Sequence, residues 1–252
     1  MEIWQLAVLT CAGVASGFMN VMAGGGSLLT VPIMLFMGIP GPVANGTNRI
    51  AILAQNATAV LTFFRKGYSD FKLSLSLALA AVPGAIMGAL LGTGLQGVWF
   101  DRIIALVMVA VMILMATEKK PVAKESSSEE TSVAPQRLVL GHMCMFGAGL
   151  WGGFIQIGVG FILMPILHRV LGLSLVQVNM HKVFIVLMYT IAALSIFAAK
   201  IELLWMVGLC LAVGNSIGGW LGATVTISKG DETIRRVFNA VLIVFIIKLL
   251  FF

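Results

Sequence analysis

The stretch "GFMNVMAGGGSLLTVPIMLFMGIPGPVANGTNR", residues 17–49, interrupts an apolar chain with three consecutive glycines, prolines and a cluster of Asn, Thr and Arg. Non-helical backbone at membrane depth is tolerated only where it is buried in protein or lines a polar cavity. The stretch therefore predicts a broken membrane helix inside the protein, with an anion-binding crossing point at the break.

Composition indicates an integral membrane protein. The 252 residues are 60% hydrophobic and 10% charged, and the mean hydropathy is +1.05, whereas soluble domains carry about 25% charged residues. The net charge of +6 comes from basic residues that stand singly or in pairs between apolar runs. Because no basic face is long enough to follow a phosphate backbone, we expect membrane lipid as a partner and no nucleic acid.

Apolar segments predict an all-α fold with about eight transmembrane helices, each close to the roughly 20 residues that a spanning helix needs. These segments are residues 3–23, 43–64, 73–95, 98–115, 138–157, 176–199, 203–227 and 237–252. Two more, 27–37 and 161–171, are too short to span. Each follows a glycine cluster and has a proline near its start, which is typical of a helix N-terminus. We interpret both as re-entrant or broken half-helices.

The two halves of the chain repeat each other. Residues of the same type recur at a shift of 133 and, after one inserted residue, of 134. Matched pairs are Cys11 and Cys144, Gly25 and Gly158, Pro32 and Pro165, Asn45 and Asn179, and Gly84 and Gly218. The pattern predicts a first repeat at residues 1–116 and a second at 138–252. Residues 117–137, the one strongly polar stretch, are expected to form a solvated linker.

Charge placement favours inverted over parallel repeats. If the short segments dip in and return, 12 of the 16 Lys and Arg residues fall on the linker side of the membrane and four on the other, whereas the parallel arrangement gives nine and seven. Basic residues are enriched on the cytoplasmic side. We therefore predict a cytoplasmic linker and two inverted repeats.

Two sets of glycines are expected to serve packing rather than chemistry. Gly84, Gly88 and Gly92, and likewise Gly214, Gly218 and Gly222, recur at every fourth position. Such spacing places them on one face of a helix, where small residues let a neighbouring helix approach.

Inverted repeats with broken helices are a secondary-transporter architecture, in which half-helix ends line the substrate site. A helix N-terminus with free N–H groups favours anions, and the ten acidic residues all lie outside the centres of the spans, which argues against a cation pump. The candidate substrate-binding residues are Gly24, Gly25, Gly26, Ser27, Asn45, Thr47, Asn48, Arg49, Gln156, Asn179, His181 and Lys182.

Several candidates have a structural alternative. The glycine triplet could permit helix packing alone, and Arg49 and Lys182 could be cations that snorkel to the interface. His181 could be structural or could couple transport to protons. The chain has no HExxH, GxSxG, paired carboxylates or P-loop, so we expect no enzyme activity, no cofactor and no metal.

The motifs "AGGGSLLTVPIML" (residues 23–35) and "GIPGPVANGTNR" (residues 38–49) resemble the first-repeat signature of the TauE/SafE family of sulfite exporter-like permeases. The resemblance implies export or uptake of sulfite, organosulfonates or related small sulfur anions across the bacterial cytoplasmic membrane. From the two repeats we expect alternating access, in the export direction. It places Gly24, Gly25, Gly26, Gly46, Thr47 and Asn48 at the central site. The second half departs from the signature, with "GVGF" (residues 158–161) and "NMHK" (residues 179–182).

An anion channel, or a carrier for another small oxyanion or carboxylate, is the alternative function. Coupling to protons or another ion, and assembly as a homodimer, stay open.

Overall fold

A computed structural model describes residues 3–94, 102, 106 and 135–251 of the chain. The first half contains α1 (Ile3–Met22), α2 (Ser27–Phe36), α3 (Gly41–Arg65) and α4 (Phe71–Gly94). The second half contains α5 (Pro135–Ile155), α6 (Val159–Pro165) with a π-helical turn (Ile166–Val170), α7 (Leu175–Lys200) and α8 (Trp205–Phe251). A long, a short and two long helices thus occur in the same order twice. The predicted all-α membrane fold is confirmed.

Within the described residues, five helices are long and apolar enough to cross a membrane. They are Trp4–Met22, Phe71–Gly94, Pro135–Ile155, Leu175–Lys200 and Trp205–Ile234. Apart from residues 102 and 106, the predicted span at 98–115 lies outside the described residues. Most of the predicted linker at 117–137 does so too, although α5 already begins at Pro135. The predicted span at 237–252 falls in α8, beyond a kink at Gly230 where φ is 67°.

α3 is 25 residues long but is not among these five helices. Its sequence carries Asn45, Asn48, Arg49, Gln55 and Asn56, all of them buried. A helix this polar is stable in a membrane only when other helices surround it. α3 is therefore a central helix whose polar residues face the rest of the protein.

The two half-helices begin directly after their glycine turns, so their prolines do not lie near the helix starts as the sequence suggested. Pro32 lies in the middle of α2, and Pro165 is the last residue of α6. Proline has no N–H to donate inside a helix. After Pro165 the backbone changes to a π-helical turn, in which the N–H of Leu171 donates to the carbonyl of Ile166 at 3.3 Å.

The repeats are inverted, as predicted. α3 and α7 occupy matching places in the two halves, and they run antiparallel. Arg49, near the start of α3, lies 4.3 Å from the ring centroid of Phe197, near the end of α7. Phe63, near the end of α3, packs with Met180 near the start of α7.

The glycine faces join the two halves, as expected from their spacing. A Cβ on Gly84 or Gly88 of α4 would overlap a carbonyl oxygen of α5, that of Phe146 or Leu150. The pattern repeats where α8 lies along α1. A Cβ on Gly214 would overlap the carbonyl oxygen of Thr10, and one on Gly218 that of Val14. In both pairs the first helix of one half packs on the fourth helix of the other.

Gly88→Ala is expected to lower the thermal unfolding temperature of the purified protein. The new methyl would overlap the carbonyl oxygen of Leu150, so α4 and α5 must separate, and such overpacking costs about 1–3 kcal/mol. Gly147→Ala on α5 is the control, because nothing lies within 4 Å of its Cβ position. Thermal unfolding in detergent measures both variants, and equal stability would contradict this close packing.

Candidate functional site

The two broken helices meet backbone to backbone at the centre of the protein. Gly24, with φ of +88°, lies in the turn between α1 and α2, and Gly160 lies in the first turn of α6. A Cβ on either glycine would overlap the Cα of the other. The crossing therefore requires glycine at both positions. The sequence analysis did not select Gly160, although its neighbour Gly158 aligns with Gly25 in the repeat.

The N-terminus of α2 faces this crossing with unused donors. The first hydrogen bonds of the turn run from Leu28 N–H to Gly25 O and from Leu29 N–H to Gly26 O, both at 3.0 Å. The N–H groups of Gly25, Gly26 and Ser27 therefore precede the hydrogen bonds of the helix, at the positive end of its dipole.

The same glycines also allow close packing. The Cβ position of Gly25 lies 2.6 Å from the ring of Phe161, and a Cβ on Gly26 would overlap the carbonyl oxygen of Ser16. The two interpretations of the triplet are compatible, because this close packing still leaves the N–H groups of Gly25, Gly26 and Ser27 before the first hydrogen bonds of α2.

Arg49 is fully buried and caps the C-terminus of α5. Its Nη1 donates to the carbonyl of Gly152 at 2.9 Å and to Oε1 of Gln156 at 3.1 Å, and its Nη2 donates to the carbonyl of Gly153 at 2.6 Å. The last carbonyls of a helix have no partner within it and form its negative end. A cation from the first half thus stabilises the broken helix of the second half.

Lys182 does the same for the first half. Its Nζ donates to the carbonyl of Val21, in the last turn of α1, at 2.8 Å and to Oδ1 of Asn179 at 2.7 Å. Its side chain is 2% exposed. Arg49 and Lys182 are 133 positions apart, one fewer than the shift of 134 that relates Asn45 to Asn179, so they lie one residue from exact equivalence in the repeat. Because both head groups are buried against helix ends, the snorkelling alternative is wrong for both.

Three other predicted residues connect helices around the crossing. Asn48 donates to Oγ of Ser27 at 3.1 Å, which holds α2 against α3. Oγ1 of Thr47 accepts from Leu204 N–H at 3.2 Å, just before α8, and Nδ1 of His181 shares a hydrogen bond of 2.8 Å with Oγ of Ser74, in the first turn of α4. Thr47 and His181 therefore hold the beginnings of the fourth helices.

The predicted amides Asn45, Gln156 and Asn179 also bond across the protein. Asn45 donates to the carbonyl of Phe154 at 2.9 Å, which adds a second cap to α5. Gln156 donates to the hydroxyl of Tyr189 at 3.0 Å, and Asn179 donates to Thr226 at 3.4 Å. All three amides are buried.

A further polar cluster lies between α1, α3 and α8. Oε1 of Gln55 accepts from both Asn20 and Asn215 at 3.3 Å. Nε2 of Gln55 and Nε of Arg49 are buried donors without a protein partner. Neither Gln55 nor Asn215 is among the predicted site residues, although both are polar residues inside apolar spans.

A cavity of about 340 Å³ lies between the end of α3, the start of α4 and α7. Its lining is mostly aromatic and apolar, and it includes Ser74, the partner of His181. Other lining residues are Phe63, Tyr68, Asp70, Phe71, Met180 and Phe184.

The crossing is electropositive. Among the described residues, neither Arg49 nor Lys182 has a carboxylate within 4.0 Å. The ion pair found in the described part of the chain lies away from the crossing and joins the exposed side chains of Arg236 and Glu232 on α8. A buried charge without a counter-charge is costly. The helix carbonyls supply part of the compensation, and a bound anion would supply the rest.

Inverted halves that cross through broken helices, with buried cations at the crossing, define a multi-pass membrane protein of the transporter class. The model of the sulfite exporter TauE/SafE family matches residues 9–249. The chain therefore belongs to the sulfite exporter TauE/SafE family, as its motifs suggested.

Similar proteins are named as transporters without a substrate. "Probable membrane transporter protein ORF9" of Sinorhizobium sp is 29% identical, over 97% of this chain and 92% of its own length. "Probable membrane transporter protein" of Haemophilus influenzae is 26% identical, over 91% of this chain and 88% of its own. "Probable membrane transporter protein YfcA" of Escherichia coli K12 is 25% identical, over 98% of this chain and 90% of its own length. No solved structure matches the chain.

Arg49→Lys is expected to lower the thermal unfolding temperature. An ammonium cannot reproduce the planar fork that reaches Gly152 and Gly153 together, and each buried carbonyl left unpaired costs about 1–3 kcal/mol. Arg65→Lys, at the exposed end of the same helix, is the control. Unfolding of both variants in detergent measures the difference, and the cap is refuted if the two are equally stable.

Proposed function

We propose that the protein is a secondary carrier for a small sulfur-containing anion, such as sulfite, sulfoacetate or a related organosulfonate. It works by alternating access across the cytoplasmic membrane of a bacterium, in the export direction, and performs no catalysis. The observation that carries the proposal is the pair of buried cations at the crossing, Arg49 and Lys182, which have no carboxylate partner among the described residues.

The unused donors around the crossing suit oxygen atoms of an anion. They are the N–H groups at the start of α2, Nε of Arg49 and Nε2 of Gln55. Charge-assisted hydrogen bonds from arginine and from helix N-termini are the interactions by which proteins hold sulfonate- or phosphate-like groups. In this proposal Asn48, bonded to Ser27, orients the start of α2 toward the anion.

The cross-half caps give alternating access a physical basis. Each broken helix ends on a cation of the other half, so a movement of one half must loosen these hydrogen bonds. An anion that binds at the crossing can replace helix carbonyls as the partner of the cations. Binding would then offset the loss of the caps and permit the movement.

Counterflow in proteoliposomes tests the carrier. Labelled sulfite is expected to exchange saturably and to be inhibited by sulfoacetate and thiosulfate but not by chloride. Conductive flux without counterflow would instead support the alternative, an anion channel. A protein that is folded and moves none of these anions would contradict the proposed cargo.

Gln55→Glu is expected to raise the KM for sulfite at least about tenfold, because a carboxylate near the crossing repels an anion and each 1.4 kcal/mol is a factor of ten. Gln177→Glu, at the exposed start of α7, makes the same substitution away from the crossing and should leave the KM unchanged. Initial rates in proteoliposomes measure both. Equal KM values would place the anion away from Gln55.

A further inference from the structure

The fold builds the same cap twice with two different cations. Arg49 and Lys182 lie one residue from exact equivalence in the repeat, and each ends the broken helix of the other half. Arginine stays charged in proteins, whereas a lysine ammonium can lose a proton. One cap is therefore permanently charged, and the other is able to change its charge.

The surroundings of Lys182 suit both protonation states. Its Nζ has two acceptors, the carbonyl of Val21 and Oδ1 of Asn179, at 2.8 and 2.7 Å. An ammonium carries three N–H groups and a neutral amine carries two, so either form can satisfy both acceptors. Arg49, in contrast, donates to Gly152, Gly153 and Gln156 together.

Charged groups on the helices around Lys182 are few. α1 and α2 carry none, and α4 carries only Lys72, which is exposed in its first turn. α3 contributes Arg49, bonded to α5, and exposed Arg65 at its end. Among the described side chains of α8, Lys229 precedes the kink, and Asp231 and the exposed pair of Glu232 and Arg236 follow it. The carboxylate of Asp231 accepts from the N–H groups of Leu175 and Val176 at 3.0 Å.

Two other titratable side chains of α7 have their own partners. His181 is bonded to Ser74, and Tyr189 accepts from Gln156. Asp70 and Tyr68 line the cavity next to Met180, and Oδ1 of Asp70 accepts from Leu73 N–H at 3.1 Å. Within the described chain, none of these groups is hydrogen-bonded to Nζ of Lys182.

On the basis of the carrier function above, we propose that Lys182 takes up and releases the proton that couples anion transport to a pH gradient, while Arg49 keeps its charge throughout the cycle. In the structure Nζ ties the end of α1 to α7. Loss of the proton converts –NH₃⁺ to –NH₂ and releases H⁺ to water, which removes the positive charge from the negative end of α1. This cap then weakens, and the anion loses one of its two cations.

The cavity near the start of α4 provides the access for that proton. Val21, whose carbonyl binds Lys182, belongs to one apolar cluster with Phe63 and Met180, and these two residues line the cavity. The cap and the cavity therefore border the same apolar cluster. In this proposal, opening of the cluster would expose Lys182 to water from the side on which α3 ends.

Lys182→Arg tests the proposal, because it preserves the charge and removes the titration. Purified protein is placed in proteoliposomes with labelled sulfoacetate, which stays fully ionised near neutral pH. The unmodified protein is expected to exchange sulfoacetate at equal pH and to accumulate it when a pH gradient is imposed. Lys182→Arg should lose the accumulation, so that whatever exchange it retains no longer responds to the pH gradient. Lys200→Arg, at the exposed end of α7, is the matched control and should behave like the unmodified protein.

Accumulation that survives in Lys182→Arg would overturn the proposal. Loss of accumulation in His181→Asn, with retention in Lys182→Arg, would also overturn it and assign the proton to His181.

If Lys182→Arg does not fold, the unmodified protein supplies the test. Sulfoacetate added to it in weakly buffered detergent solution should change the pH of the solution, because anion binding is coupled to the protonation of Lys182. A constant pH would refute this coupling. Exchange at equal pH without any effect of the gradient removes only this inference, whereas the absence of any exchange overturns the carrier as well.

Discussion

The structure depends on how a broken membrane helix satisfies its last carbonyl groups. α1 and α5 both end inside the protein, where water cannot bond their free carbonyls, and unsatisfied groups there cost several kcal/mol each. Arg49 caps α5 and Lys182 caps α1. Ala23 and Gly24 satisfy the carbonyls of Met19 and Asn20 within the first half, but the carbonyl of Val21 is bonded by Lys182 of the second half. Each half therefore completes the broken helix of the other.

The two caps between the halves explain why glycines line the closest helix contacts between them. For a cation on α3 to reach the end of α5, and one on α7 to reach the end of α1, the halves must approach closely. Gly24 and Gly160 allow the turns to touch, while Gly88 and Gly218 allow the long helices to pack backbone to backbone. The specific contacts that a moving half would have to break are the two caps and the other hydrogen bonds between the halves, such as those of Thr47 with Leu204 and of Gln55 with Asn215.

The sequence predicts the membrane fold, the repeat and its inversion because these follow from composition, spacing and the placement of basic residues. It also predicts Arg49 and Lys182 as site residues, but it does not predict the helix carbonyls to which they donate. The partners of Arg49 lie more than 100 residues away in the chain, and no local pattern encodes such a contact. Gly160 and Asn215 were missed for the same reason, because each owes its role to a contact with a distant part of the chain, Gly24 in one case and Gln55 in the other. The prolines were misplaced because the glycine turns, rather than Pro32 and Pro165, set the starts of α2 and α6.

An electron cryomicroscopy structure of the protein in lipid nanodiscs with saturating sulfoacetate tests the central claim most directly. The anion is expected at the crossing, where the start of α2 and Gln55 supply donors from the first half and Gln156 supplies them from the second. Its oxygens should replace at least one helix carbonyl as a partner of Arg49 or Lys182. An anion held by one half alone, or bound away from Gly24 and Gly160 while both caps stay intact, would contradict the claim.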